Sequence, residues 1–129
     1  MKRVVITGMG AISPVGNDIP TFWNNLKNGV CGIDTIRSFS TDDLPVKIAA
    51  EVKDFKPDSY GIDAATARKN DRYALFALAA SNQAMKDSGL QIEPERLGVY
   101  IGSGIGGMNT FIAETTKMIQ KGPQWISPL

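Results

Sequence analysis

The chain has 129 residues, 43% of them hydrophobic and 21% charged, and its 14 basic and 13 acidic residues leave a formal charge of +1. That is the composition of one ordinary globular domain, and the charge balance excludes a general electrostatic affinity for nucleic acid or an anionic membrane. A single cysteine, Cys31, excludes an internal disulfide and fits a reducing compartment, and there is no histidine to act as base or metal ligand.

After Met1-Lys2-Arg3 only Val4-Val5-Ile6 are strongly apolar before Thr7-Gly8, short of the about 7–15 apolar residues of a secretory signal. No run approaches the roughly 20 of a membrane span. The expectation is a soluble cytoplasmic protein. Val4-Val5-Ile6-Thr7 reads as a buried strand of a parallel sheet, and Gly8, Gly10, Pro14 and Gly16 make the loop after it. Asp18 and Pro20 mark a helix start, with Phe22, Trp23 and Leu26 as its apolar face and Gly29 as its stop. The segment from Cys31 to Pro45 reads as irregular. Val46, Ile48, Ala50 and Val52 then alternate with Lys47, Ala49, Glu51 and Lys53, the period of a half-exposed strand in a surface hairpin.

The longest helix is expected from about Ala64 to Ser88, with a break near Asp71 and Gly89 as its end. Its stretch from Tyr73 to Ala80 is apolar around the circumference, which suits a fully enclosed helix. Ala74, Ala77, Ala80 and Ala84 would let neighbouring helices come close. Leu97-Gly98-Val99-Tyr100-Ile101-Gly102 reads as a second buried strand and Ser103 to Gly107 as a tight loop. The last helix shows Met108, Phe111, Ile112, Thr115, Met118 and Ile119 on one face and stops at Gly122-Pro123. No internal repeat or low-complexity tract is present. Strand, helix, insertion, long helix, strand, helix is the beginning of a layered α/β fold with a parallel sheet. Two strands and so apolar a helix call for further layers, so the chain is expected to expose more apolar surface than a monomer carries.

Four features bear on chemistry. Gly102-Ser103-Gly104-Ile105-Gly106-Gly107 matches the bare dinucleotide fingerprint, but Lys121-Gly122-Pro123 stands where an acidic residue on a following strand belongs. Gly8-Met9-Gly10-Ala11-Ile12-Ser13 fails the pattern at its last glycine, and no P-loop lysine follows either segment. Cys31 has no base beside it in the sequence and reads as a structural thiol. Arg68-Lys69-Asn70-Asp71-Arg72 is either a solvated helix turn in which Asp71 pairs locally, worth little, or a docking patch for an acidic partner.

Several segments, in order and at matching spacing, carry a family resemblance. They are Val4 to Gly10 with Ser13-Pro14-Val15-Gly16-Asn17, Phe22-Trp23, Gly29 to Ile33, Arg68-Lys69-Asn70-Asp71, Gln83 to Leu90, Gly98 to Gly107, and Gly122-Pro123 with Ile126-Ser127-Pro128. The chain resembles the β-ketoacyl-acyl carrier protein synthases, most closely the elongating type II enzymes of fatty acid biosynthesis. The resemblance covers nearly the whole chain. It implies an α/β, thiolase-like layered fold of which residues 1–129 are the incomplete N-terminal half. It also implies a homodimer, and acyl carrier protein bearing acyl and malonyl groups as partner. In the family, a cysteine at a helix start takes the acyl chain, and two histidines promote decarboxylation of the malonyl group and stabilise the carbanion. The resemblance places all three after Leu129, so no catalytic residue is assigned here and the chain alone is expected to be inactive. No cofactor or metal is implied. By resemblance Ile105 lines the fatty acyl pocket, Met108 lies near that pocket and the dimer interface, and Arg68 and Lys69 dock the acidic helix of the carrier protein. The competing readings are a non-catalytic partner that binds carrier protein or a synthase subunit, and a dinucleotide-binding domain.

Overall fold

In the computed structural model, which describes residues 3–127, the elements in chain order are α1 (Ile19–Lys27), β1 (Asp34–Thr35), β2 (Ile48–Ala49), α2 (Ala64–Lys69), α3 (Arg72–Ser88) and α4 (Met108–Lys121). Short 3-10 turns at Pro57–Tyr60, Pro94–Arg96 and Pro123–Trp125 link them. Helix starts follow the expected side chains. Asp18 accepts from Thr21 N–H at 2.7 Å and caps α1, with proline in its first turn. Asp63 accepts from Ala65 and Thr66 N–H at 2.8 and 2.9 Å and caps α2. The long helix does break at the expected place. Asn70 and Asp71 are extended, and Asp71 caps α3 through Arg72 N–H at 2.6 Å. Gly89 closes α3, and Gly122 with Pro123 closes α4.

The two expected central strands are absent. Residues 4–7 and 97–102 have no regular secondary structure and join no ladder, and Val4, Ile6, Val99 and Tyr100 are largely exposed. A β-branched run states a preference for extended backbone; a strand also needs an edge to pair with, and these segments meet none among the described residues. The sheet that does form is the small antiparallel pair Asp34–Ala49 and Thr35–Ile48. It realises only the centre of the alternating run, with its apolar side outward: Ile48 is 57% and Val46 62% exposed, while Ala49 is half-buried. Asp34 anchors this hairpin by ion pairs to Arg37 and Lys53.

The core is small and sits on one face of α3. Ile62, Leu75 and Ala79 are buried, with Ile12, Phe55, Tyr60 and Ala67 packed around them. Phe55 stacks on Tyr60 and meets the edge of Phe76, at centroid distances of 5.4 and 4.9 Å. The other face of α3 is not enclosed: Tyr73, Leu78 and Met85 are exposed. Trp23 and Leu26 on α1 are exposed too, so the expected apolar face of that helix has no cover among the described residues.

The alanine face of α3 does admit a close neighbour, but it is the glycine loop and not another helix. A Cβ on Gly10 would overlap the carbonyl of Ala80, and one on Gly8 the carbonyl of Ala84, so both positions require glycine. Gln83 binds the loop through its amide. Its Oε1 accepts from Ala11 N–H at 3.3 Å, and its Nε2 donates to the carbonyls of Ala11 and Asn17 at 3.3 and 2.9 Å. Asp87 adds a bond from Met9 N–H at 2.9 Å. No described helix is long and apolar enough to cross a membrane.

The exposed surface is 10315 Å², against about 6,700 Å² for a folded monomer of this mass. The excess is in large part the apolar side chains named above. The isolated chain is therefore expected to associate, scattering light as oligomers or aggregates at micromolar concentration; a stable monomer by multi-angle scattering counts against this. A second expectation concerns acid. Hydrogen bonds from Thr66 hold the Asp63 carboxyl below the usual carboxylate range, and the backbone N–H of Thr110 does the same for Asp71. Both groups are more acidic folded than unfolded, so their contribution is complete above the unfolded pKa of about 3.9 and is lost as pH falls through their folded values. Helical circular dichroism of the wild type should drop below about pH 4, and the Asp63→Asn, Asp71→Asn variant should begin lower and titrate more flatly. Superimposable curves would rule this out.

Candidate functional site

The backbone turns sharply between α2 and α3, and this corner faces the start of α4. A cavity of about 630 Å³ lies between them. One wall is Lys69, Asn70, Asp71, Tyr73 and Ala74; the other is Ile105, Gly107, Met108, Thr110 and Phe111. A second hollow of about 410 Å³ adjoins it and shares Lys69, Asn70 and Thr110, adding Arg68, Asn109, Ala113 and Glu114. The four residues singled out from the sequence thus come together, although nearly forty positions separate them in pairs. Lys69 lies on both hollows, Arg68 on the polar one, and Ile105 and Met108 on the apolar one.

The basic cluster divides. Arg72 turns inward, donating to the Val52 carbonyl at 2.7 Å and lying 5.1 Å over the Phe76 ring. Arg68 and Lys69 occupy the last turn of α2, where a cation complements the helix dipole. Both are exposed, and neither makes a salt bridge among the described residues. Lys69 therefore stands at the rim of the apolar hollow, and Arg68 at the polar one beside it.

Asp71 does not pair with these cations. Its Oδ1 accepts from Arg72 N–H, while its Oδ2 accepts from Thr110 N–H at 3.0 Å and from the Thr110 hydroxyl at 2.8 Å. Thr110 belongs to the first turn of α4, whose N-cap, Gly107, has no side chain to offer. One carboxylate caps two helices, its own and one distant in sequence. Gly107 is held to glycine by this arrangement, because a Cβ there would stand 2.8 Å from Asp71 Oδ2. Sequence reasoning missed the tie. Its trace is a helix start lacking a capping side chain, with threonine at the third position.

The loop before α4 is a tight turn as expected, with Ser103 Oγ accepting from Gly106 N–H at 2.9 Å in the turn that presents Ile105. Gly102, Gly104 and Gly106 have open space where a Cβ would be. Ile105 is 78% exposed. The dinucleotide reading loses its structural context: no strand precedes the loop, and the helix N-terminus that would receive a pyrophosphate carries the Asp71 carboxylate. Cys31 is exposed beyond the end of α1. Among the described residues no group of three His, Cys, Asp or Glu side chains converges to hold a metal.

Comparison with known proteins bears directly on this geometry. Residues 1–128 match the family model of the β-ketoacyl synthase N-terminal domain. The chain is 47% identical over 130 aligned positions to a 3-oxoacyl-[acyl-carrier-protein] synthase 2 of Staphylococcus aureus (strain COL), covering 98% of this chain and 31% of that protein. It is 42% identical to the protein of the same name from Coxiella burnetii (strain RSA 493 / Nine Mile phase I), with 98% and 31% covered. Among solved structures, the ishigamide ketosynthase/chain length factor superposes with a TM-score of 0.77 at 27% identity over 96% of this chain and 32% of that one. A structure of a type II PKS acyl-carrier protein in complex with its ketosynthase bound to the hexaketide gives 0.78 at 27% identity, with 99% and 33% covered. The chain thus has the ketosynthase fold over its length and spans about a third of the relatives it matches. On sequence and on structure alike, the chain belongs to the β-ketoacyl synthase family, within that family's N-terminal domain.

Proposed function

We propose that this chain is part of a 3-oxoacyl-[acyl-carrier-protein] synthase of fatty acid biosynthesis, and that it supplies the carrier-docking rim and one wall of the acyl pocket. The observation that carries the reading is that Lys69 borders the apolar hollow bounded by Ile105 and Met108, while Arg68 lines the hollow that adjoins it. Two exposed cations attract an acidic carrier surface and orient it by charge complementarity. A hydrophobic hollow beside them receives the apolar chain that the carrier delivers.

The reaction is a decarboxylative Claisen condensation. A cysteine thiolate takes the acyl group from the carrier thioester and the carrier thiol leaves. Malonyl-carrier protein loses carbon dioxide, its C–C bonding pair becomes a carbanion, and that carbon attacks the acyl-enzyme carbonyl. The new C–C bond forms, the C–S bond breaks, and the thiolate is restored. The chain has no histidine, and its one cysteine is exposed without a neighbouring base, so these steps belong to residues outside the 129. Residues 1–129 then form the N-terminal part of a thiolase-like domain, working in a cytoplasmic homodimer. No step draws on a cofactor. The isolated chain is expected to yield no malonyl-dependent product.

The test is a full-length chimera in which residues 1–129 replace the matching third of the 47% identical relative. Condensing activity is expected. Reversing two rim charges, Arg68→Glu with Lys69→Glu, should weaken carrier-protein binding about tenfold, from two surface pairs of up to about 1 kcal/mol each, and should flatten its dependence on salt. Unchanged binding across ionic strength would remove the docking role. Ile105→Trp should fill the hollow and shift kcat/KM toward shorter acyl chains, by about fourfold for each methylene excluded. An unaltered chain-length profile would remove the pocket role. A chimera that binds carrier protein but never condenses would favour the non-catalytic partner.

A further inference from the structure

We infer that Asp71 is a positioning residue that sets the width of the hollow between Tyr73 and Ile105, and through it the discrimination among acyl chain lengths. The inference deepens the proposed function and rests on it. The hollow has a wall on each side of a gap in the sequence: Lys69–Ala74 at the α2–α3 corner, and Ile105–Phe111 at the start of α4. Among the described residues, two hydrogen bonds join α4 to the start of α3, and both end on Asp71 Oδ2, from Thr110 N–H at 3.0 Å and its hydroxyl at 2.8 Å. Asp71 Oδ1 is bound to Arg72 N–H at 2.6 Å, so the carboxylate is fixed at both ends. Gly107 lies against it so closely that an added Cβ would be 2.8 Å from Oδ2 and 3.1 Å from the Asp71 Cβ. The separation of the two walls is therefore set at one point, by contact on one side and by two charge-assisted bonds on the other. Tyr73 is two residues from that point and Ile105 two residues from Gly107, so the tie fixes the backbone from which both apolar side chains project.

A cap that served stability alone would, when lost, reduce the active fraction for every substrate equally. A positioning role alters the ratio between substrates. In the chimera described above, Asp71→Ala is expected to change the ratio of kcat/KM for long against short acyl thioesters by about fourfold, the scale of one methylene's contact. Asp71→Asn, which keeps one carbonyl acceptor, should lie between it and the wild type. Gly107→Ala forces the walls apart with the carboxylate retained and should move the ratio the same way as Asp71→Ala. A ratio unchanged in all three, while Ile105→Trp does change it, overturns the inference and leaves the pocket reading intact. A ratio unchanged by Ile105→Trp as well overturns the pocket reading and this inference together. Should Asp71→Ala fail to fold, amide exchange of Thr110 in the Asp71→Asn protein decides. About tenfold faster exchange is expected from loss of a charge-assisted bond; an unchanged rate shows that Asp71 does not hold α4.

Discussion

A single carboxylate reaching across the chain holds the functional corner of this protein together. α4 begins at a glycine and so leaves its first N–H groups without a capping side chain, and Asp71 supplies the missing acceptor from the start of α3. Burying or crowding a helix start without acceptors is costly, so the two helix ends are drawn to one oxygen. The walls of the hollow, Lys69–Ala74 on one side and Ile105–Phe111 on the other, flank that meeting. Burial contributes little here, because among the described residues only Ile62, Leu75 and Ala79 are buried, and none of the three lines the hollow.

The second constraint is the clasp on the N-terminal loop. Gly8 and Gly10 run along the backbone of α3 with no room for a side chain, and Gln83 closes the contact from both sides of its amide. Tyr60 adds a bond from its hydroxyl to the Asn17 carbonyl at 3.2 Å, and Asn82 Nδ2 donates to the Tyr60 carbonyl at 2.8 Å. The 3-10 turn at Pro57–Tyr60 thus joins loop and helix, and the aromatic trio Phe55, Tyr60 and Phe76 packs beneath it. These contacts place α3, and with it the Asp71 cap to which α4 is bound. The large exposed surface follows from the same economy: order here rests on backbone contact and polar clasps more than on an enclosed core.

The division within the basic cluster explains how one run of sequence serves two ends. Arg72 spends its charge on the Val52 carbonyl and the face of Phe76, which fastens α3 to the segment before it. Arg68 and Lys69, one helix turn earlier, are left outward by the break at Asn70 and Asp71. Had the two helices been continuous, the cations would have stood on a straight cylinder. The extended pair Asn70-Asp71 instead swings them over the polar hollow beside Thr110.

Local chemistry was readable from the sequence wherever it depends on near neighbours. Asp18 announces a helix start, Asp71 a break, and Gly89 and Gly122 stops, because capping is settled within a few residues. The family was likewise legible in the order and spacing of its glycine-rich segments. Pairing and burial were not. Val4 to Thr7 and Leu97 to Gly102 have the composition of central strands yet form none, since a ladder requires an edge supplied from elsewhere in the fold, and no count of β-branched residues reports whether that edge is present. The face of the Val46–Val52 run and the enclosure of α3 went the same way. Ile105 and Met108 took their pocket roles only through resemblance, while the Arg68-Lys69 cluster already offered two readings, a docking patch or a solvated turn. That they share one corner, and that Asp71 holds it, was decided by the tertiary structure, because a hydrogen bond between residues 71 and 110 has no period, spacing or composition by which a linear reading could detect it.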